Sequence, residues 1–202
     1  LGGITDGNSD GHCDTVPAAP VNTSKFFHHS ETVESFDALC RLLESYNKED
    51  EFDLQLTGYK DVLRADAFKF FLVITDDRVN CSFGGQTYND ANTDIGGQDV
   101  ATKFDAALRA LSPESFGVDA ENRNYSFWSI ISQAPFQSTG MGNFGVPVPP
   151  TEAITTSECT PGAQNPGTGY QALSILTGGY RFPTCGLAYS DIFSLMAEGV
   201  IK

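Results

Sequence analysis

The sequence predicts an α/β fold: a doubly wound, mostly parallel sheet with helices on both faces. Three observations carry this. The run Phe68-Lys-Phe-Phe-Leu-Val-Ile-Thr-Asp-Asp77 is apolar, rich in aromatic and β-branched residues, and stops abruptly at two carboxylates. Such a run reads as a strand buried on both faces inside a parallel sheet. A second run, Tyr125-Ser-Phe-Trp-Ser-Ile-Ile-Ser132, has the same character. From Ser30 onwards, segments of helical spacing alternate with these strands, which is the pattern of a doubly wound sheet.

Taken in order, residues 1 to about 24 are rich in turn formers and read as irregular. Lys25-Phe-Phe-His28 reads as a short strand. Ser30 is the expected cap of a helix whose stripe is Val33, Phe36, Leu39, Cys40, Leu43 and Tyr46. Lys48 to Asp61 reads as polar loop, and the strand Phe68 to Thr75 follows. Asn80 to Gln98 reads as a second polar loop. Asp99 is the expected cap of a helix with Val100, Phe104, Ala107, Leu108 and Leu111 on its buried face, and Pro113 marks its end. After the second strand, a Gly- and Pro-rich connection runs from Pro135 to about Gly167; loops of that length usually carry function. Tyr170, Leu173 and Leu176 share one helical face, stopped by Gly178-Gly179. Tyr180-Arg-Phe182 is a short strand, and a last helix starts at Ser190 or Asp191. Trp128, in mid-strand, is expected in the core.

Composition narrows the function. The 202 residues, 40% hydrophobic, suffice for one domain with a real core, or at most two small ones. A net charge of -14 repels phosphate backbones, so no nucleic-acid partner is expected. No stretch reaches the length of a membrane span. The first residues lack a basic segment followed by an apolar core, so they do not form a signal peptide. Five cysteines occur, none in a C-x-x-C pair, which argues against zinc. Their polar, turn-rich surroundings point to disulfides in an oxidising compartment, hence a secreted, cell-surface or periplasmic protein. The expected pairs are Cys159 with Cys185 and, second, Cys40 with Cys81, leaving Cys13 over.

Several groups are candidates for chemistry. Asp76 and Asp77 stand past the carboxyl end of a parallel strand, where ligands bind in open α/β sheets. One reading gives Asp76 a Mg²⁺ ion, which takes six oxygen ligands and keeps several waters; the other has both carboxylates capping the next turn. Asp6, Asn8 and Asp10, with Gly11 in sixth place, match the opening half of a calcium loop. The closing bidentate Glu is missing, because Pro17 stands there, so a plain turn-rich loop is favoured. His28 and His29 are adjacent and diverge on a strand. No Gly-x-Ser-x-Gly elbow exists to place a hydrolase serine. Asn22, Asn80 and Asn124 begin formal glycosylation triplets.

The segment Leu72-Val-Ile-Thr-Asp-Asp77 resembles the fourth strand of von Willebrand factor A domains, which commonly ends in Thr-Asp-Gly. Tyr170-Gln-Ala-Leu-Ser-Ile-Leu-Thr-Gly-Gly-Tyr-Arg-Phe182 resembles the helix, Thr-Gly-Gly turn and sixth strand of that family, and Tyr189 to Ala197 is similar to its closing helix. The resemblance covers about residues 26–202 and implies a single Rossmann-like domain of a secreted bacterial-surface type. It implies a metal-ion-dependent adhesion site on the carboxyl edge of the sheet. Asp76 matches its third-loop carboxylate, Thr32 its second-loop Thr, and Ser35 is the fallback. Nothing matches Asp-x-Ser-x-Ser of the first loop, nor the central first strand. The expectation is therefore a domain lacking its N-terminal portion, completed by an upstream fragment or a second chain. The implied function is adhesion: binding of a protein or matrix partner through Mg²⁺ or Ca²⁺, without enzymatic activity. The alternatives are a structural surface or assembly subunit with a degenerate, metal-free site, and a secreted metal-dependent hydrolase using Asp76 and Asp77. In the last, adjacent residues on one strand end point apart, which is awkward for a two-carboxylate mechanism.

Overall fold

A computed structural model describes residues 22–134, 147–159, 164–185, 192–194 and 197. The chain forms two compact units. The first is Leu1–Thr32 with Ser45–Val62, and the second is Val33–Glu44 with Leu63–Lys202.

In the first unit the chain is held by polar side chains rather than by regular structure. The Asp50 carboxylate accepts from the backbone N–H groups of Ser30, Leu54 and Gln55 at 3.2, 2.5 and 3.2 Å. Burial pushes its pKa up, but these three bonds, with the charge of His29, outweigh it and hold the group below the usual carboxylate range. Gln55 Nε2 donates to the His28 carbonyl at 3.1 Å. Lys25 to His28 is therefore a bent segment fastened by side chains, not the expected strand. Ser30 caps no helix: the first helix begins only at Ala38, and the Ser30 N–H donates to Asp50. His29, Tyr46 and Tyr59 stack edge-on, and burial raises the Tyr59 pKa. A 3₁₀ turn, Tyr59–Val62, closes the unit.

The second unit contains a three-stranded parallel sheet: β1 (Lys69–Ile74), β4 (Tyr125–Ile131) and β5 (Arg181–Pro183), in the order β1-β4-β5. β1 pairs with β4 from Lys69↔Tyr125 to Ile74↔Ile130. All seven residues of β4 are buried. β1 is only half-buried, and Ile74 is 55% exposed. The two-faced burial expected of Phe68 to Thr75 thus belongs to the second apolar run. The reason is position: β4 has a neighbour on each side, and β1 has one. Lys69 and Thr75 donate their N–H groups to Asn124 and Ile130. In a parallel ladder alternate residues face the same neighbour, so Phe70, Leu72 and Ile74 direct their backbone groups to the other edge. No described strand pairs there.

One face of the sheet carries Trp128, Ile130 and Phe182 against Ile192, with Phe70, Leu72 and Tyr180 around them. Ile192 lies in the helical turn 192–194; the rest of the expected last helix is outside the described residues. The other face carries Phe71, Tyr125 and Phe127, which meet Phe104 and Phe116 edge-on or tilted. Phe104 belongs to α2 (Asp94–Leu111) and Phe116 to α3 (Pro113–Phe116). α4 (Thr168–Leu176) packs on α2 and on β4. Glycine permits the α2–α4 approach: a Cβ on Gly97 would stand 2.5 Å from the Thr168 carbonyl oxygen.

Three boundaries differ from expectation. α1 is Ala38–Ser45, because Asp37 Oδ1 turns back onto the Glu34 N–H and Val33 and Phe36 stay exposed. The expected loop Asn80 to Gln98 contains a hairpin, β2 (Asn80–Phe83) and β3 (Gln86–Asn89), turned at Gly84-Gly85 in the left-handed region. α2 starts five residues before Asp99: the Thr93 hydroxyl accepts the Gly96 N–H at 3.0 Å and is the cap. Pro113 ends α2 by opening α3 at its first position, where a missing N–H costs nothing.

Candidate functional site at the carboxyl edge of the sheet

The site begins where β1 ends. Past Ile74 the chain leaves the ladder and bends at Asp76 and Asp77. Asp76 is exposed and Asp77 is buried. Asp77 Oδ1 accepts the Arg78 N–H at 2.8 Å and Asn165 Nδ2 at 2.5 Å. The Asp76 carbonyl accepts the N–H groups of Gln164 and Asn165. The end of the Pro135 to Gly167 connection is thereby fastened over the strand end.

Beneath this lies Asp90, fully buried. Its Oδ2 accepts the N–H of Val79 at 3.2 Å and that of Gly169 at 2.9 Å, and its Oδ1 accepts the Asn92 N–H at 3.1 Å. One carboxylate therefore ties the chain after β1 to the first turn of α4. Gly169 leaves the room: a Cβ there would meet Val79 at 2.9 Å and Asp90 Oδ2 at 3.3 Å. Ala91 and Asn92 hold left-handed φ angles of 49° and 56°. That conformation is uncommon outside glycine, and here the Asn89 and Asp90 side chains hold it by accepting the N–H two residues on.

The polar account does not close among the described residues. Asn92 donates to Asn165 Oδ1 at 2.6 Å, yet its own Oδ1 is buried without a partner among the described residues. Thr168 Oγ1 and Tyr170 Oη share that condition. Burial raises the Tyr170 pKa, and the charges of Asp90, Asp37 and Asp77 raise it further. The surrounding field is acidic. The nearest cationic residue in sequence, Arg78, stacks over the Phe36 ring at 5.8 Å.

The sequence candidates fall as follows. Asp76 stands free at the rim. Ser35 is exposed in the turn before α1. Thr32 belongs to the first unit, where its hydroxyl donates to Glu51 Oε1 at 2.7 Å. Asp6, Asn8 and Asp10 lie outside the described residues, as does Cys13. Disulfides join Cys40 to Cys81 and Cys159 to Cys185, the two pairs expected. They anchor α1 to β2 and the long connection to the end of β5. Among the described residues no three of His, Cys, Asp and Glu converge as a metal group. For the Mg²⁺ or Ca²⁺ that the resemblance implies, the described residues at the carboxyl edge of the second unit thus offer the free carboxylate of Asp76, with the exposed Ser35 hydroxyl in the same unit, and no complete shell.

Asp90, Asn92 and Asn165 have no part in the sequence reading, and Tyr170 enters it only as a member of an apolar helical face. The run Tyr88-Asn-Asp-Ala-Asn-Thr93 carries a signal, since Asx residues before a Thr cap mark a tight turn into a helix. The Asn92–Asn165 pairing spans 73 residues and leaves no local trace.

The described residues include no helix long and apolar enough to cross a membrane. Two disulfides fit an oxidising, extracytoplasmic setting. Comparison with family models, with curated proteins and with solved structures returns no match.

Proposed function

We propose that this chain is an extracytoplasmic binding domain of the von Willebrand A type, which recognises a protein or matrix partner at the carboxyl edge of its sheet. The observation that carries this is the division of labour between two neighbours. Asp77 is spent on holding the loops, and Asp76 is left exposed at the rim where parallel sheets bind ligands. In this reading Asp76 is the charged ligand of a divalent cation. Ser35 supplies a hydroxyl oxygen, waters fill further positions, and an acidic group of the partner completes the shell. The edge of β1 that pairs with no described strand supports the same reading, because a doubly wound sheet takes a further strand there, from a further segment of the protein or a second chain.

Calorimetric titration with Mn²⁺ and Mg²⁺ tests it. The expected result is saturable binding to the chain extended at its N-terminus, abolished by Asp76→Ala. Binding that survives Asp76→Ala would reject the role of Asp76. No binding by the extended chain would leave a structural subunit with a metal-free edge as the reading to keep.

A further inference from the structure

A cavity of about 510 Å³ lies between α2, α4 and residues 150–154. That is within the range of small-molecule sites, which join an apolar lining to a few placed polar groups. Its apolar lining includes Ala101 from α2, Ala172, Ile175 and Leu176 from α4, and Ile154 from the segment 150–154. The two buried alanines leave the space that larger residues would fill.

The charged groups of the lining are Asp94 and Glu152; no Lys, Arg or His lines the cavity, although the buried Arg181 guanidinium behind the wall interacts with the Glu152 charge. Gln98 Nε2 donates to Asp94 Oδ1 at 2.7 Å. Asp94 Oδ2 and the Glu152 carboxylate have no hydrogen-bond partner among the described residues.

The outer wall is built in advance. Arg181, fully buried in β5, donates to the carbonyls of Pro149, Glu152 and Ala153 at 3.2, 2.8 and 3.2 Å, and to Gln171 Oε1 at 3.0 Å. Gln171 in turn accepts the Thr155 N–H and donates to the Thr155 carbonyl. Val148 and Arg181 exchange both backbone bonds. A wall fixed this way loses little freedom on binding, which favours affinity.

We infer that this cavity binds a small organic cation: an alkyl chain ending in an ammonium or guanidinium group. The alkyl part covers Ile154, Ile175 and Leu176. The head group meets Asp94 and Glu152. An anion would face two like charges, and a neutral hydrocarbon would press against carboxylates without compensating them. A bare metal ion would leave the apolar floor uncovered. The chain's charge of -14 concentrates cations near its surface. The site shares no residue with the Asp76 edge and stands or falls independently of it.

The test is calorimetry on the whole chain with n-hexylammonium and n-hexylguanidinium, against n-hexanol and hexanoate, and with the methyl resonances of Ile154, Ile175 and Leu176 as a local readout. The cations should bind saturably and move those methyls. Hexanol and hexanoate should bind about tenfold more weakly or worse, the loss expected for a charge-assisted contact. Glu152→Gln and Asp94→Asn should each weaken cation binding several-fold at unchanged near-ultraviolet dichroism. Ala172→Phe should fill the floor and abolish binding; the two carboxylate variants decide the matter should it fail to fold. A parallel titration with the capped peptide Ac-Gly-Lys-Gly-NH₂ separates the sources. Tighter peptide binding assigns the head group to a partner's lysine, and tighter hexylammonium binding assigns it to a free amine. Equal binding of hexanol and hexylammonium, no saturable binding of either cation, or undiminished binding by the Glu152→Gln, Asp94→Asn double variant would overturn the inference.

Discussion

Two aspartates are buried at opposite ends of the same sheet, and they are kept there by different chemistry. At the amino end, Asp105 of α2 accepts from Arg123 at 2.7 and 3.0 Å, from Arg109 at 2.9 and 3.2 Å, and from the Tyr125 hydroxyl at 2.7 Å. Burial pushes the Asp105 pKa up, but these bonds outweigh it and hold the group below the usual carboxylate range. At the carboxyl end, Asp90 has no guanidinium; backbone N–H groups of three segments satisfy it. The amino end is neutralised and finished. The carboxyl end has no such neutralising guanidinium among the described residues and retains buried oxygens on Asn92, Thr168 and Tyr170 without partners among them. A charge neutralised inside the protein serves stability. A charge left over at the rim is available to a ligand. That difference favours the carboxyl end as the working end of the sheet.

The largest effect is expected from Asp105→Ala, which strands two guanidinium groups and a phenol. Breaking a buried pair typically costs ~3–5 kcal/mol, and about 3 is expected here because Arg109 and Arg123 keep 18% side-chain exposure. Urea unfolding measures it. Asp90→Ala leaves the Val79 and Gly169 N–H groups buried without acceptors and should cost about 2 kcal/mol. Asparagine sharpens the contrast. Asp90→Asn retains an oxygen for both N–H groups and should lose only about 1 kcal/mol, whereas Asp105→Asn should cost nearly as much as alanine. Equal losses from the two asparagine variants would erase the distinction between the two ends.

The pH dependence carries the same contrast with a smaller effect. The native Asp105 carboxyl binds its proton more weakly than the unfolded one, so the unfolded state takes up more protons. The stabilisation is complete above the ordinary value of 3.8 and is lost as pH falls below it. The gap in melting temperature between wild type and Asp105→Asn should therefore be constant at neutral pH and narrow below about pH 4. A gap that widens in acid would reverse the sign of the assignment. Smallest of all, Asp76→Asn should leave the unfolding midpoint unmoved, because that side chain is exposed and makes no described bond. A clear destabilisation would return Asp76 to the structural group with Asp77.

Much of the fold could be read from local pattern. Both apolar runs are strands, Gly178 closes α4 in the left-handed region, and the cysteines pair as their surroundings suggested. The errors have a common origin. Val33 and Phe36 continue the apolar stripe of α1, but Asp37 ends the helix ahead of them by capping the Glu34 N–H. The β2–β3 hairpin is built from polar residues, with Tyr88 as its single buried side chain, so periodicity gave no strand signal.

What the sequence determined alone is what depends on neighbours along the chain: alternation, helical stripes, turn glycines, and the arrival of Asp76-Asp77 at the end of a strand. Only tertiary structure decided which strand is central, because burial on both faces depends on how many strands pair with it, and β1 and β4 are equally apolar. Tertiary structure also decided that Asp77 turns in, Asp76 turns out and Asp90 lies beneath them. Those choices are made by Asn165 and Gly169, some 80–90 residues away along the chain, and a hydrogen bond across that separation is specified by the folded geometry rather than by any local run of residues.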